Sequence, residues 1–509
     1  MGGSTEHIVM LPLMAHGHLI PLLALAREIH QRKGFTITIA STPLNIKYLR
    51  STICKDSSST TDRQSAIHLA ELPFCCSGLP PNSDNTENLH VDQIGTLLRS
   101  TISLETPFHR LLLDIIERDG KPPMCVISDF FMGWAVDVAK AVGTSSVTFT
   151  PLGAYGTLAY WSSWLNVPHG IIDSEEFHLP GFPDTCRFPV SILTPNLRMA
   201  DGNDSWSRII QPQILSAFQS SGYLCHTVEE LEHLALEWLR KYTNLPVWPV
   251  GPLLPQTVLN NSSSSGSFIS KQRTGKESGI SLERCLEWLD SHRPASVLYI
   301  SFGSQNAISQ SQMMNLATGL ESSKTPFIWV IRPPRGFDLI GEFKAEWLPE
   351  KFEDRMRESK QGLLVKNWAP QLEILMHKST GAFLSHCGWN SVLESLSQGV
   401  PIIGWPLEAE QIFNCKMLME EMGVCVELTR GAQSTIEGGK VEKVIQMVMD
   451  KEGKGGEMKR KAVETGKKIR AAKRQEGEEK GSSIKALDDF VAAIIAMRKE
   501  QCVGAMRNE

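Results

Sequence analysis

The chain has no CxxC pair, no GxGxxG after its first apolar run and no GxxxxGK[ST] anywhere. Nor does it have the roughly eighteen continuous apolar residues that a membrane helix needs. Each absence removes a class of protein. Its eleven cysteines are an odd number and scattered. That pattern fits neither a disulfide scaffold nor a zinc site and predicts a reducing compartment. The missing nucleotide fingerprints argue against a nicotinamide enzyme and a P-loop NTPase. Formal net charge is −5, so no basic field recruits nucleic acid or anionic lipid. The first residues, MGGSTEH, lack a basic segment followed by an apolar one, and Glu6 stands where N-myristoylation wants Ser or Thr. The expectation is a cytoplasmic protein with no membrane span and no nucleic-acid partner.

What is present is ordinary globular composition, 41% hydrophobic and 21% charged, in 509 residues. Short β-branched runs alternate with helical patterns. The predicted strands of the first half are His7 to Met14, Phe35 to Ala40, Ala66 to Leu72, Cys125 to Ile127, Ser146 to Thr150, Tyr223 to His226 and Val247 to Val250. Helices are predicted at Ile20 to Gln31, over most of His90 to Glu117, and at Met132 to Val142. Such alternation predicts a parallel, doubly wound α/β domain over residues 1–251. Pro- and Gly-rich stretches, Cys76 to Asn88 and Pro180 to Asp204, read as loops over a site. Residues 252–280, with the low-complexity NNSSSSGS, read as a flexible linker. The alternation resumes over 281–475, predicting a second α/β domain. The charge run Lys451 to Lys480 reads as a solvated amphipathic helix. Residues 476–509 read as a terminal helix that packs back on the first domain. Two such domains imply a cleft at the carboxyl ends of their strands.

The most informative stretch is Trp368 to Gln411, WAPQLEILMHKSTGAFLSHCGWNSVLESLSQGVPIIGWPLEAEQ. Its apolar strand Ala382 to Leu384 delivers His386-Cys387-Gly388-Trp389-Asn390-Ser391 to a helix predicted over Val392 to Gln398. A glycine-bearing turn at a helix start presents free N–H groups and a positive dipole end, which is an anion site. Near the amino terminus, His16 and His18 follow the first strand. A histidine at that position is suited to proton transfer.

This stretch closely resembles, over its full length and without a gap, the signature box of the plant UDP-dependent family 1 glycosyltransferases. The likeness extends to PLMAHGHLIP at 12–21, ISDFFMGWAVDVA at 127–139, VGPL at 250–253 and SFGS at 301–304. The resemblance implies the GT-B fold, two facing Rossmann-like domains with the nucleotide sugar on the second. It implies that the indole of Trp368 stacks on uracil, that backbone at Ala369 holds the base edge, and that Gln371 and Glu394 take the ribose hydroxyls. It gives the diphosphate to His386, Gly388, Asn390, Ser391 and Ser304. It gives the sugar hydroxyls to Trp389, Glu410 and Gln411.

By the same resemblance the general base is His18, oriented by Asp129, while His16 falls where many relatives have Gln. The implied reaction is inverting transfer from UDP-glucose to a hydroxyl of a small lipophilic plant metabolite, a flavonoid, phenolic or terpenoid. No metal or cofactor is expected, and the chain is expected to act as a monomer. The acceptor pocket is expected from Leu79 to Asn88, the Phe130-Phe131 region and Leu152 to Trp164. Three alternatives stand beside this reading. One is extension of an existing glycoside, or use of UDP-galactose, UDP-xylose or UDP-glucuronate. Another is a catalytically silent nucleotide-sugar binder. The last, a nicotinamide oxidoreductase, fails on its missing fingerprint. His226 replaces an Asn common in the family's NTxEELE stretch, and the sequence offers no account of it.

Overall fold

A computed structural model describes residues 6–53, 67–170, 174–260, 269, 278–338, 341–475 and 480–508. Its contacts divide the chain into two units, Met1–Val190 with Pro195–Leu254 and Ala472–Glu509, and Ser191–Thr194 with Pro255–Ala471.

The apolar runs of the first unit become strands β1 (His7–Leu11), β2 (Thr36–Ser41), β3 (Ile67–Glu71), β4 (Cys125–Asp129) and β5 (Ser145–Thr150). A small antiparallel pair follows, β6 (Glu176–Phe177) with β7 (Phe188–Pro189), then β8 (Tyr223–Cys225) and β9 (Val247–Pro249). Seven of these form one sheet in the order β3-β2-β1-β4-β5-β8-β9, every pair parallel. Strands β1, β4 and β5 are buried on both faces, as unalternating apolar sequence requires. Winding reverses between β1 and β4, so the crevice of a doubly wound sheet opens beside Leu11 and Asp129. The terminal helix Ser482–Asn508 lays Leu487, Phe490, Val491 and Ile494 into the same core as Ile8 and Met10. Phe490 meets Trp248 edge to face at 5.4 Å. Lys33 and Asp488 pair at 2.7 Å beside it.

The second unit carries β10 (Val297–Ser301), β11 (Phe327–Ile331), β12 (Gly362–Lys366), β13 (Thr380–Ser385), β14 (Ile402–Gly404) and β15 (Cys425–Glu427). Their order is β12-β11-β10-β13-β14-β15, again all parallel, with the reversal between β10 and β13. The carboxyl ends at this switch point are Ser301 and Ser385.

Several boundaries differ from the sequence reading. The first helix runs from His16 to Lys33, four residues ahead of its apolar periodicity, because Ala15 already accepts from His18 and Leu19 N–H. Helix over 90–117 breaks into Val91–Ser100, a 3-10 turn Thr101–Leu104 and Glu105–Asp119. The stretch Pro180 to Asp204, read as loop, contains β7 and the short helix Pro195–Arg198. Much of the linker read over 252–280 lies outside the described residues. Within the charge run, the helix Lys454–Ala472 buries Met458, Ala462 and Ile469 on one side. No helix among the described residues is long and apolar enough to cross a membrane.

Candidate active site

In the first unit, His18 stands in the first turn of its helix, not in the loop after β1. Its Nδ1 lies 2.6 Å from Asp129 Oδ2, at the carboxyl end of β4. Asp129 is fully buried and its other oxygen accepts from Phe131 N–H at 3.0 Å. One carboxylate therefore caps the turn Phe130–Met132 and orients an imidazole. A carboxylate on Nδ1–H leaves Nε2 as the nitrogen able to take a proton. Phe130 and Phe131 flank the imidazole at 6.3 and 6.1 Å between ring centroids.

His16 goes elsewhere. Its ring is buried edge-on against Tyr48 at 4.5 Å, with Glu87 3.8 Å from Nδ1. Of the acceptor segments read from sequence, Asn85 caps the turn Thr86–Asn88, and Phe130 and Phe131 lie beside His18. Leu152 to Trp164 becomes the helix Ala154–Asn166, buried from Ala154 to Trp164. Trp161 packs on Phe130, Phe218 and Tyr223, which makes this segment chiefly core. Glu232 anchors its start by accepting from Ala154 and Tyr155 N–H, both at 2.9 Å. His226 now has a structural account: buried, it accepts from Leu253 N–H through Nε2 at 2.9 Å.

In the second unit the helix after β13 begins at Trp389, not Val392, so Trp389, Asn390 and Ser391 form its first turn. Gly388 is its N-cap and no side chain caps it. The first N–H groups then face whatever lies beyond, with the positive end of the helix dipole behind them. Cys387 takes a left-handed φ of 62°, held by Ser385 Oγ on its N–H and by Asn414 on its carbonyl. His386 packs its ring between two glycines. A Cβ on Gly303 would sit 2.7 Å from its Nε2, and one on Gly388 2.4 Å. Burial pushes the His386 pKa down to about 4, so the ring is neutral near pH 7 and offers one N–H rather than a charge. Ser304 lies just past Gly303 and its carbonyl accepts from Arg332 at 2.5 Å.

Gln371, at the start of the helix Gln371–Met376, ties the next part together. It accepts from Tyr299 Oη at 3.0 Å and donates to Ser391 Oγ at 3.2 Å and Glu394 at 2.5 Å. Glu394 is buried on the helix that begins at the anion-facing turn. Trp368 is half-buried, its carbonyl held by Gly279 and Ser278, and the Arg332 guanidinium lies 5.6 Å from its ring centroid. Ala369 is buried and its carbonyl accepts from Gln371 N–H. Trp389 is 2% exposed, so its ring serves packing more than surface. Gln411 Oε1 accepts from Leu407 and Glu408 N–H, both at 3.0 Å, which leaves its –NH2 as the group to donate. Glu410 is buried, with Asn414 at 3.4 Å.

The second unit thus gathers Ser304, Trp368, Ala369, Gln371, His386, Gly388, Trp389, Asn390, Ser391, Glu394, Glu410 and Gln411 around one sheet end. His18 and Asp129 meet at the equivalent end of the first unit's sheet. Arg332, Tyr299 and Gly303 touch these residues, and sequence reasoning did not place them in the site. A signal existed for Arg332, the first charge after the apolar strand β11, and for Gly303, a glycine straight after β10.

The profile of the family described as UDP-glucoronosyl and UDP-glucosyl transferase matches residues 229–463. UDP-glycosyltransferase 92A1 of Arabidopsis thaliana is 39% identical over 503 residues, covering 97% of this chain and 98% of the relative. Crocetin glucosyltransferase 3 of Crocus sativus is 42% identical over 455 residues, covering 88% and 91%. Among solved structures, a Glycyrrhiza uralensis glycosyltransferase complexed with glycyrrhetinic acid 3-O-monoglucuronide superposes with a TM-score of 0.83 at 27% identity, covering 99% of both chains. A Phytolacca americana glycosyltransferase complexed with UDP-2-fluoro-glucose and pterostilbene gives 0.74 at 26%, covering 96% and 100%.

Proposed function

This chain belongs to the plant UDP-glycosyltransferases, enzymes of the GT-B fold, and from that premise we propose that it transfers glucose from UDP-glucose to a hydroxyl of a small lipophilic metabolite with inversion. The observation that carries the reading is the His18–Asp129 pair at 2.6 Å at a topological switch point. His18 Nε2 takes the acceptor proton, and Asp129 holds the tautomer and stabilises the imidazolium that forms. The acceptor oxygen attacks the anomeric carbon from the face opposite UDP, which yields a β-glycoside.

UDP leaves with its charge met by first-turn N–H groups of the helix Trp389–Ser397 and by side chains of Asn390, Ser391 and neutral His386. In this proposal protein donors do the work elsewhere given to a metal. Trp368 takes uracil on its face; Gln371 and Glu394, already hydrogen-bonded to each other, exchange that bond for ribose hydroxyls. By the family resemblance, Trp389 and the terminal Gln411 of this stretch favour glucose, with Glu410 as carboxylate acceptor. Residues 1–251 serve the acceptor and 281–475 the donor, in a monomer acting in the cytoplasm.

A second reading, transfer to a hydroxyl of an existing glycoside, is favoured by one finding: the Glycyrrhiza uralensis relative was solved with a molecule that already bears a sugar. An acceptor panel read by product mass decides both points. Run with UDP-glucose, UDP-galactose, UDP-xylose and UDP-glucuronate, it should give a hexose gain on phenolic or terpenoid aglycones with UDP-glucose. Gain only on pre-glycosylated acceptors would favour the second reading. No product with UDP-glucose but product with another donor would refute the sugar assignment.

A further inference from the structure

Behind the anion-facing turn, three cysteines from different elements converge. Cys387 follows β13, Cys415 lies on the helix Gln411–Glu420 and Cys425 opens β15. All three are buried, and their sulfurs lie within 4.8 Å of one another. Cys415 Sγ and Cys425 Sγ are 4.0 Å apart. The wall of this cluster is Gly404, at the end of β14. A Cβ there would stand 2.5 Å from Cys415 Sγ, 3.1 Å from Cys425 Sγ and 3.2 Å from Cys387 Sγ. Gly404 does not have the positive φ that asks for glycine. The sulfurs alone exclude a side chain, so the Gly404 backbone packs directly against all three.

We propose that this thiol cluster is a seat for a thiophilic d10 divalent cation, held by Cys387, Cys415 and Cys425. Three thiolates about 2.3 Å from one ion lie about 4 Å apart, which is the spacing already present between Cys415 and Cys425. Two groups stand near enough for a fourth position. Glu427 Oε2 and Met419 Sδ are each 3.9 Å from Cys415 Sγ. On binding, each thiol releases its proton to solvent and no electron moves. Three thiolates and a divalent ion carry a net −1, beside an Arg430–Glu427 pair at 2.7 Å. The competing account is that the thiols are small hydrophobes filling a core. It predicts no ligation.

The test uses the full-length protein, reduced with a phosphine and titrated with Cd²⁺ alone. The expected result is a thiolate-to-cadmium charge-transfer band in the ultraviolet that saturates at one ion per chain. Cys415→Ala and Cys425→Ala should each abolish it, and Cys285→Ala, a buried thiol elsewhere in the same unit, should keep it. Should the alanine variants misfold, cadmium-edge X-ray absorption on the unaltered protein counts sulfur neighbours directly, and three are expected. Absence of the band, its survival in both Cys415→Ala and Cys425→Ala, or fewer than three sulfur neighbours would overturn the proposal.

Discussion

Asp129→Asn isolates the chemistry proposed for the dyad from its packing. The two side chains are isosteric, and an asparagine Oδ1 can still accept from Phe131 N–H, so the turn after β4 keeps its cap. The other position changes from acceptor to –NH2 and faces His18 Nδ1 across 2.6 Å. Two donors cannot share that contact, so the imidazole must place its proton on Nε2 and accept through Nδ1. The nitrogen that should take the acceptor proton is then already protonated. General-base catalysis contributes about 10²–10⁴ in rate, or about 3–5 kcal/mol at 1.36 kcal/mol per tenfold. Steady-state kinetics should show kcat for glucosyl transfer falling by that factor, with KM for UDP-glucose within about twofold, because no donor-site residue has changed. Thermal unfolding close to wild type would show that the fold survives. A variant that keeps kcat within about threefold would refute the assignment of base and orienter.

Three further predictions concern the donor unit. Because the His386 pKa is held at about 4, the unfolded chain takes up a proton at this residue below about pH 6.5 and the folded chain does not. Stability should therefore be lost as pH falls from about 6.5 to about 4, by up to roughly 3 kcal/mol from this group. Urea unfolding at both ends of that window should show a smaller loss in His386→Gln, and an equal loss would contradict the cause assigned. Gly303→Ala combines a φ of +76° with a Cβ 2.7 Å from His386 Nε2. It should weaken UDP binding at least about tenfold by calorimetry, with roughly 1–2 kcal/mol of backbone cost; binding equal to wild type would mean the turn tolerates what the geometry forbids. Arg332→Ala removes the guanidinium near Trp368 and its bond to Ser304. A cation–π contact of about 0.5–2 kcal/mol predicts UDP binding weaker by about 2- to 30-fold with kcat nearly unchanged; a fall in kcat alone would place Arg332 in the wrong step.

Strand positions were legible because parallel strands buried on both faces read as apolar runs. β5, β8 and β9 match their sequence limits to within one residue. Helix starts were less legible, since the first turn carries polar residues that face ligand or loop. The His16 and Trp389 helices both begin before their apolar periodicity does. That shift matters, because it moves His18 and Asn390 from loops onto helix ends. The aromatic stretch at 152–164 could not be assigned from composition, because a buried helix and a flat pocket wall use the same residues. Nor could the thiol cluster be seen. Cys387, Cys415 and Cys425 show no ligand spacing along the chain and meet only because β13, β14 and β15 lie side by side. Arg332 escaped notice for a similar reason: its partners Ser304 and Trp368 are brought to it by neighbouring strands.

In the proposed reaction His18 draws the acceptor proton while a separate set of residues holds the donor. His18→Ala, measured for glucosyl transfer by product mass and for UDP binding by calorimetry in one preparation, tests it most directly. Transfer should fall by at least about 10² with UDP affinity intact. Transfer at the wild-type rate would contradict it.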